Sequence, residues 1–385
     1  MAIEPRPAAA AMPDGGPLRV MVVDDSVVIR GLVGRWLAAE ADIQVVAVAG
    51  NGAIAVRDVA RANPEVVVLD IEMPEMDGLA ALPEILRQVR QVRVLMSSTL
   101  TQAGAEVTLK ALTLGAADYL TKPSSTREAG TVEAFRHELI TKIRALGQAG
   151  RRRRRAPAAS AVTALRPATS PLTRDTPRIA CRAAGTQRPQ VIAIGSSTGG
   201  PQALCSLLGP LARRLQQPIL ITQHMPATFT AILAQHLEKA TGVAAAEGRD
   251  GEAIQGQRIY VAPGNHHMVV ERQGAQRVIR LTQEPPENFC RPSVDPMMRS
   301  IVAAYGGAVL AVMLTGMGQD GLKGAQAIVE AGGTLIAQDE ASSVVWGMPG
   351  AVATAGLCSA VLPLGEMGGA IERLSGGSFK AGESA

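Results

Sequence analysis

At 385 residues, with 47% hydrophobic but only 2% aromatic side chains, the chain is long enough for two or three domains whose cores must rest on Ala, Val, Leu, Ile and Met. Its four cysteines (Cys181, Cys205, Cys290, Cys358) are scattered with no CxxC pair, which argues against a disulfide framework or structural zinc and points to a reducing cytoplasm. The net charge of +4 is local: residues 150–189 hold 10 basic and 1 acidic side chains, so the positive excess marks one stretch and not a folded face, and nucleic-acid binding is not expected.

Residues 1–17 contain Ala and Pro without a basic start followed by an apolar run, and read as a disordered tail, not a signal peptide. Apolar runs such as Ala308 to Leu314 are far too short to span a bilayer, so no membrane insertion is expected. Short apolar runs at 18–23, 44–49, 66–69, 92–96 and 117–120 alternate with helical stretches near 27–39, 52–62, 78–90, 103–114 and 128–146. That alternation predicts a parallel sheet with helices on both faces, and five strands suit a flavodoxin-like α/β domain over 18–146. Residues 147–189 break the pattern: five arginines, Arg151 to Arg155, precede a run of Ala, Pro, Ser and Thr that cannot bury a core. This predicts a flexible linker with a solvated charge run; the sharper alternative is a docking strip for an acidic partner.

A second α/β domain is expected over 190–375, doubly wound and parallel, followed by a tail at 376–385. Its strands fall at 191–194, 219–222, 258–261, 309–314 and 334–337, with a β-hairpin at 267–272 and 277–281. Helices are expected at 201–215, 227–239, 294–305, 321–331 and 347–354.

In the first domain Asp24 and Asp25 directly follow the first strand, Asp70 follows the third, and Lys122 follows the fifth. In a doubly wound sheet these positions share the C-terminal edge, where ligands bind. Three carboxylates there repel one another unless a cation sits among them, and such oxygen ligands suit Mg²⁺ beside a phosphate. Lys122 can balance the charge of a phosphoryl group, and Ser98, ending the fourth strand, can hydrogen-bond one of its oxygens. The stretches Val22–Ser26, Asp70–Gly78 and Thr121-Lys122-Pro123 resemble response-regulator receiver domains. The resemblance implies that Asp70 is the phosphoacceptor, with a histidine kinase as phosphodonor. It implies that Asp25, Asp70 and the backbone carbonyl of Glu72 hold Mg²⁺, with Asp24 acting through water or from behind the direct ligands. It makes Ser98 and Tyr119 the switch pair, with Ser97 the alternative to Ser98.

The second domain opens with Ile194-Gly195-Ser196-Ser197-Thr198-Gly199-Gly200, between a predicted strand and helix, and fits G-x-S-x-G. A glycine-rich phosphate loop is the competing reading, but GxGxxG is missing and no GK[ST] follows. A serine nucleophile needs a base and an acid to orient it. Of the five histidines, His224 directly follows the strand at 219–222, and Asp320 follows the strand at 309–314 through Thr315-Gly316-Met317-Gly318-Gln319. Ser197, His224 and Asp320 would therefore lie just past strand ends on one sheet edge. The stretches Ile194–Pro201, Thr222–Pro226, Tyr260–Gly264, Arg291–Asp295, Leu314–Gly321 and Ala337–Pro349 are similar to the chemotaxis protein-glutamate methylesterase family. The resemblance implies Ser197 as nucleophile, His224 as base, Asp320 as orienter and a backbone oxyanion site near Met317. Ser196 stands where alanine is common in that family and is the neighbouring alternative. The implied reaction is hydrolysis of glutamate γ-methyl esters on methylated chemoreceptor cytoplasmic domains, with glutamine deamidation as its amide counterpart; the esterase needs no metal. The unphosphorylated receiver is expected to pack over the esterase cleft. A receiver-controlled DNA-binding regulator is the rival from another class, but no helix-turn-helix signature supports it.

Overall fold

The computed structural model describes residues 16–99, 101–122, 129–155 and 179–376. The chain forms two compact units, one up to Arg151 and one from Arg152 onward. In the first, the chain runs β1 (Leu18–Val23), α1 (Val27–Ala38), β2 (Ile43–Ala49), α2 (Gly52–Ala62), β3 (Val66–Asp70), α3 (Gly78–Gln88), β4 (Arg93–Ser98), α4 (Gln102–Thr113), β5 (Asp118–Thr121) and α5 (Ala129–Arg155). All neighbours pair in parallel, in the order β2-β1-β3-β4-β5, which is the flavodoxin-like order with its switch point between β1 and β3. Helices start promptly after strands because polar side chains cap them. Ser26 accepts from the amide of Ile29, Asn51 from Ile54, Asp77 from Ala80 and Thr101 from Gly104. Gly78 is required at the start of α3, since a Cβ there would collide with the Asp70 carbonyl oxygen.

The expected linker at 147–189 is too long at both ends. Helix α5 continues through Arg155. Arg151 is not solvated: Nε and Nη2 donate to the two Glu65 carboxylate oxygens, both at 2.7 Å, and the guanidinium also reaches the carbonyls of Gly16 and Pro17. A mostly buried Glu65 needs that fork, which holds the last turns of the helix on the sheet. At the other end, residues 179–189 lie on the second unit, where the Arg182 amide donates to Cys358 O and the Gly185 amide to Thr334 Oγ1. Residues 156–178 of that expected linker, Pro123, and the tails at 1–15 and 377–385 lie outside the described residues.

The second unit runs β6 (Val191–Ser196), α6 (Gly200–Leu208), β7 (Ile219–Gln223), α7 (Ala227–Thr241), β8 (Ala245–Glu247), β9 (Ile259–Val261), β10 (His267–Gln273), β11 (Gln276–Thr282), α8 (Val294–Tyr305), β12 (Val309–Met313), α9 (Leu322–Glu330), β13 (Thr334–Gln338), α10 (Met348–Thr354), β14 (Ala360–Leu362) and α11 (Leu364–Gly376). The helix expected over 201–215 stops at Leu208 and resumes only as a 3-10 turn at Ala212–Arg214, with Gly209 and Pro210 between. Seven strands form a parallel sheet in the order β14-β13-β12-β6-β7-β9-β8, and β10 and β11 form the antiparallel hairpin. Strand order reverses at β6, so the crevice at its C-terminal end is the natural ligand site. The core around it is aliphatic and sulfur-rich: Met297, Met298, Met313 and Met348 are fully buried, together with Leu220, Ile301 and Leu335. Among the described residues, no helix is long and apolar enough to cross a membrane.

Candidate active site

Strand register brings the expected residues of the second unit together. Ser196 pairs with Gln223 across β6 and β7, so Ser197 and His224 are the first residues beyond two adjacent strands. The Ser197 amide donates to Thr315 O at 3.0 Å, which ties the loop after β12 to the same point. Gly316 packs so closely there that a Cβ would meet the Cβ of Ser197 at 3.0 Å. The two serines differ sharply. Ser196 is fully buried, and its hydroxyl donates to Gln223 Oε1 at 2.7 Å. Ser197 reaches the surface. Gln223 in turn donates through Nε2 to Ser197 O and His224 O, at 2.9 and 3.2 Å, so one buried amide holds both loops.

Asp320 is buried and collects donors: Asn288 Nδ2 at 2.8 Å, Ser293 Oγ at 2.7 Å, the amides of Val294, Asp295 and Gly321, and His224 Nε2 at 2.7 Å. An ionised carboxylate only accepts, so His224 carries its proton on Nε2 and presents a lone pair at Nδ1. Cys290 Sγ lies 3.4 Å from that nitrogen, and its thiol donates there. No Ser197 Oγ bond to the imidazole forms among the described residues; such bonds are often long before substrate arrives. Burial disfavours charge on both partners, but each favours the other's ionised form: the His224 imidazole is raised above its usual range, and the Asp320 carboxyl is held below its own.

In the first unit, Lys122 Nζ bridges Asp24 at 2.8 Å and Asp70 at 2.7 Å. The remaining oxygens accept from backbone, Asp24 from Ser26 and Asp70 from Ile71. Burial pushes the Asp70 carboxyl up to about 6, against the pull of Lys122 and with the Asp24 charge adding to the rise. Three carboxylates, Asp24, Asp25 and Asp70, thus meet at one ammonium, which bridges two of them. Asp24, Asp25 and Asp70 each offer an oxygen, all within 4.8 Å of one another, a hard donor set that fits a divalent cation such as Mg²⁺. Ser98 is buried at the end of β4, its hydroxyl 3.3 Å from Gly104 O. Tyr119 is buried in β5 below the Lys142 ammonium. Glu72 sits in the loop after β3.

Residues 192–371 match the CheB methylesterase family and residues 20–131 the response regulator receiver domain family. A protein-glutamate methylesterase/protein-glutamine glutaminase of Paramagnetospirillum magneticum is 58% identical over 93% of this chain and 96% of its own. The chain belongs to the CheB methylesterase family. A protein of the same name from Azospirillum brasilense is 55% identical over 96% of this chain and 97% of its own. The solved catalytic domain of the Thermotoga maritima CheB methylesterase is 36% identical, covers 48% of this chain and 98% of its own, and has a TM-score of 0.47. This is therefore a receiver domain joined to a hydrolase domain, and receiver domains as a class carry a Mg²⁺-binding phosphorylation site.

Sequence reasoning missed Gln223, Asn288, Ser293 and Cys290. The last three border or fall within the matched stretch Arg291–Asp295, but only the fold shows that this loop reaches His224 and Asp320.

Proposed function

We propose that the esterase unit hydrolyses glutamate γ-methyl esters on chemoreceptor cytoplasmic segments, and deamidates glutamines there, under control of phosphorylation at Asp70 by a histidine kinase in the cytoplasm. The observation that carries this reading is the hydrogen bond from His224 Nε2 to Asp320, which leaves Nδ1 as the basic nitrogen of a histidine that directly follows β7, the strand beside β6. Ser197 attacks the ester carbonyl while His224 Nδ1 takes its proton. The imidazolium then protonates the departing methoxide, methanol leaves, and an acyl-enzyme remains. Water, deprotonated by the same nitrogen, releases glutamate and restores Ser197; with a glutamine substrate the leaving group is ammonia. Asp320 fixes the tautomer and stabilises the transient imidazolium. The Met317 amide, in a turn where it meets no acceptor among the described residues, would donate to the oxyanion.

In the receiver unit, Asp70 accepts the phosphoryl group, Lys122 offsets its charge, and Ser98 and Tyr119 respond to it. Asp24, Asp25, Asp70 and the Glu72 carbonyl would hold Mg²⁺, which supplies the positive charge that the transferring phosphoryl oxygens require.

A second reading follows from Cys290, whose sulfur is 3.4 Å from the basic nitrogen and could itself be the nucleophile. Methanol release from a methylated receptor fragment separates the two. Wild type and Cys290→Ala should release methanol, and Ser197→Ala should not. The reverse pattern would move the nucleophile to Cys290.

A further inference from the structure

Phe289 stands between two residues engaged with the relay. Its predecessor, Asn288, donates to Asp320 and to Asp295, and its successor, Cys290, meets His224. The Cys290 amide donates to Glu287 O at 2.9 Å, and residues 287 and 290 bridge, so Asn288 and Phe289 are the centre of a two-residue turn. Both have positive φ, 51° and 63°, the geometry of a type I′ turn, in which glycine is preferred at the second position. A phenylalanine there is strained, because the left-handed conformation crowds Cβ against the following carbonyl. Nor does its ring serve the core. Phe135 and Phe229 are buried, whereas Phe289 is 103% exposed. A strained backbone carrying a bare aromatic ring weakens the fold, and such outliers gather at functional sites.

We infer that Phe289 is a substrate-docking residue, whose ring packs on an apolar side chain flanking the esterified glutamate of a protein substrate. The inference rests on the esterase reading. Its neighbours on either side touch Asp320 and His224, so the ring stands at the rim of the same site. A ring at the rim meets only a substrate that extends past the ester group, which makes Phe289 a discriminator between protein esters and small ones. Exposed aromatics that become buried on binding commonly dominate recognition.

The test uses the full chain, supplied with Mg²⁺ and a small-molecule phosphodonor, on two probes: a methyl-esterified receptor fragment and the γ-methyl ester of N-acetylglutamate amide. The ratio of kcat/KM for the protein ester to that for the small ester should fall about tenfold in Phe289→Ala, as expected for a partly buried aromatic contact. Phe289→Tyr should restore it. Phe289→Gly should lower the ratio equally yet raise the melting temperature, because it relieves the turn. Equal loss on both probes, or an unchanged ratio, overturns the inference while leaving the esterase reading intact. Faster protein-ester hydrolysis by unphosphorylated Phe289→Ala overturns it in favour of a contact within the chain. If wild type releases no methanol from either probe, the esterase reading fails and this inference fails with it.

Discussion

The two sites occupy equivalent places, each beyond the strand ends at the switch point of a parallel sheet, yet they handle charge in opposite ways. The receiver pocket gathers acids faster than it neutralises them. One lysine bridges Asp24 and Asp70, Asp25 stays exposed beside them, and burial still lifts Asp70 to about 6. The esterase site is closed on itself. Asp320 is saturated by six donors, from His224, Asn288, Ser293, Val294, Asp295 and Gly321, so its charge serves to aim one imidazole. A pocket short of positive charge suits a site that must take up a cation and a phosphoryl group. A saturated one suits a site that must hold a single geometry through many turnovers.

The comparison breaks most visibly at the nucleophile. Ser197→Ala and His224→Ala should each lower kcat for methanol release by on the order of 10⁴-fold or more, with unchanged circular dichroism. Ser196→Ala should instead be seen mainly as lost stability, because its hydroxyl is spent on Gln223. Asp320→Asn comes next, with kcat down roughly 10³- to 10⁴-fold. An amide cannot accept on both sides, so buried donors are orphaned and about 1–3 kcal/mol of stability is lost in a denaturant titration. The sign of the pH effect is fixed. The Asp320 carboxylate raises the imidazole pKa, and the base must be neutral. The rising limb of kcat/KM in wild type should therefore lie above the ordinary imidazole value of 6.5, and Asp320→Asn should move it down. The same shift means that the His224 contribution to folding is full below pH 6.5 and is lost as pH rises through the folded value, whereas the Asp320 contribution is present above pH 3.8 and is lost as pH falls through its own lowered value.

In the receiver the expected effects are smaller in rate but all-or-none in chemistry. Asp70→Asn should take up no label from a small-molecule phosphodonor, and wild-type uptake should require Mg²⁺; equal labelling of the variant would remove Asp70 as acceptor. The mildest effect belongs to Arg151→Ala, which removes the guanidinium fork between Glu65 and the end of α5 and should cost about 1–2 kcal/mol of receiver stability. No change in melting would return Arg151 to the solvated role that the composition of the run suggests.

The receiver pocket was nearly all legible in the sequence, because Asp24, Asp25, Asp70, Ser98 and Lys122 stand at or just past strand ends and strands announce themselves by apolar runs. Ser197 and His224 were legible for the same reason, and Asp320 through the loop that follows β12. What stayed hidden came from elements with no period to read. Asn288 and Cys290 reach the relay from a turn, and nothing in the sequence marks Phe289 as left-handed. Strands β8 and β14, at three residues each, are too short to show alternation. Helix α11 is masked by Gly365, Gly368 and Gly369, poor helix formers. Of the arginine run, only Arg151 departs from the solvated role, because its partner, Glu65, is 86 residues away; Arg152, Arg153 and Arg154 are exposed.

The most direct test of the account is methanol release by the full chain from a methylated receptor fragment, with and without Mg²⁺ and a small-molecule phosphodonor, in wild type and Asp70→Asn. The account predicts that phosphodonor raises the wild-type rate only when Mg²⁺ is present, leaves Asp70→Asn at its basal rate, and has no effect on an inactive Ser197→Ala. An Asp70→Asn protein that responds as wild type does, or a wild type that releases no methanol in any condition, would contradict it.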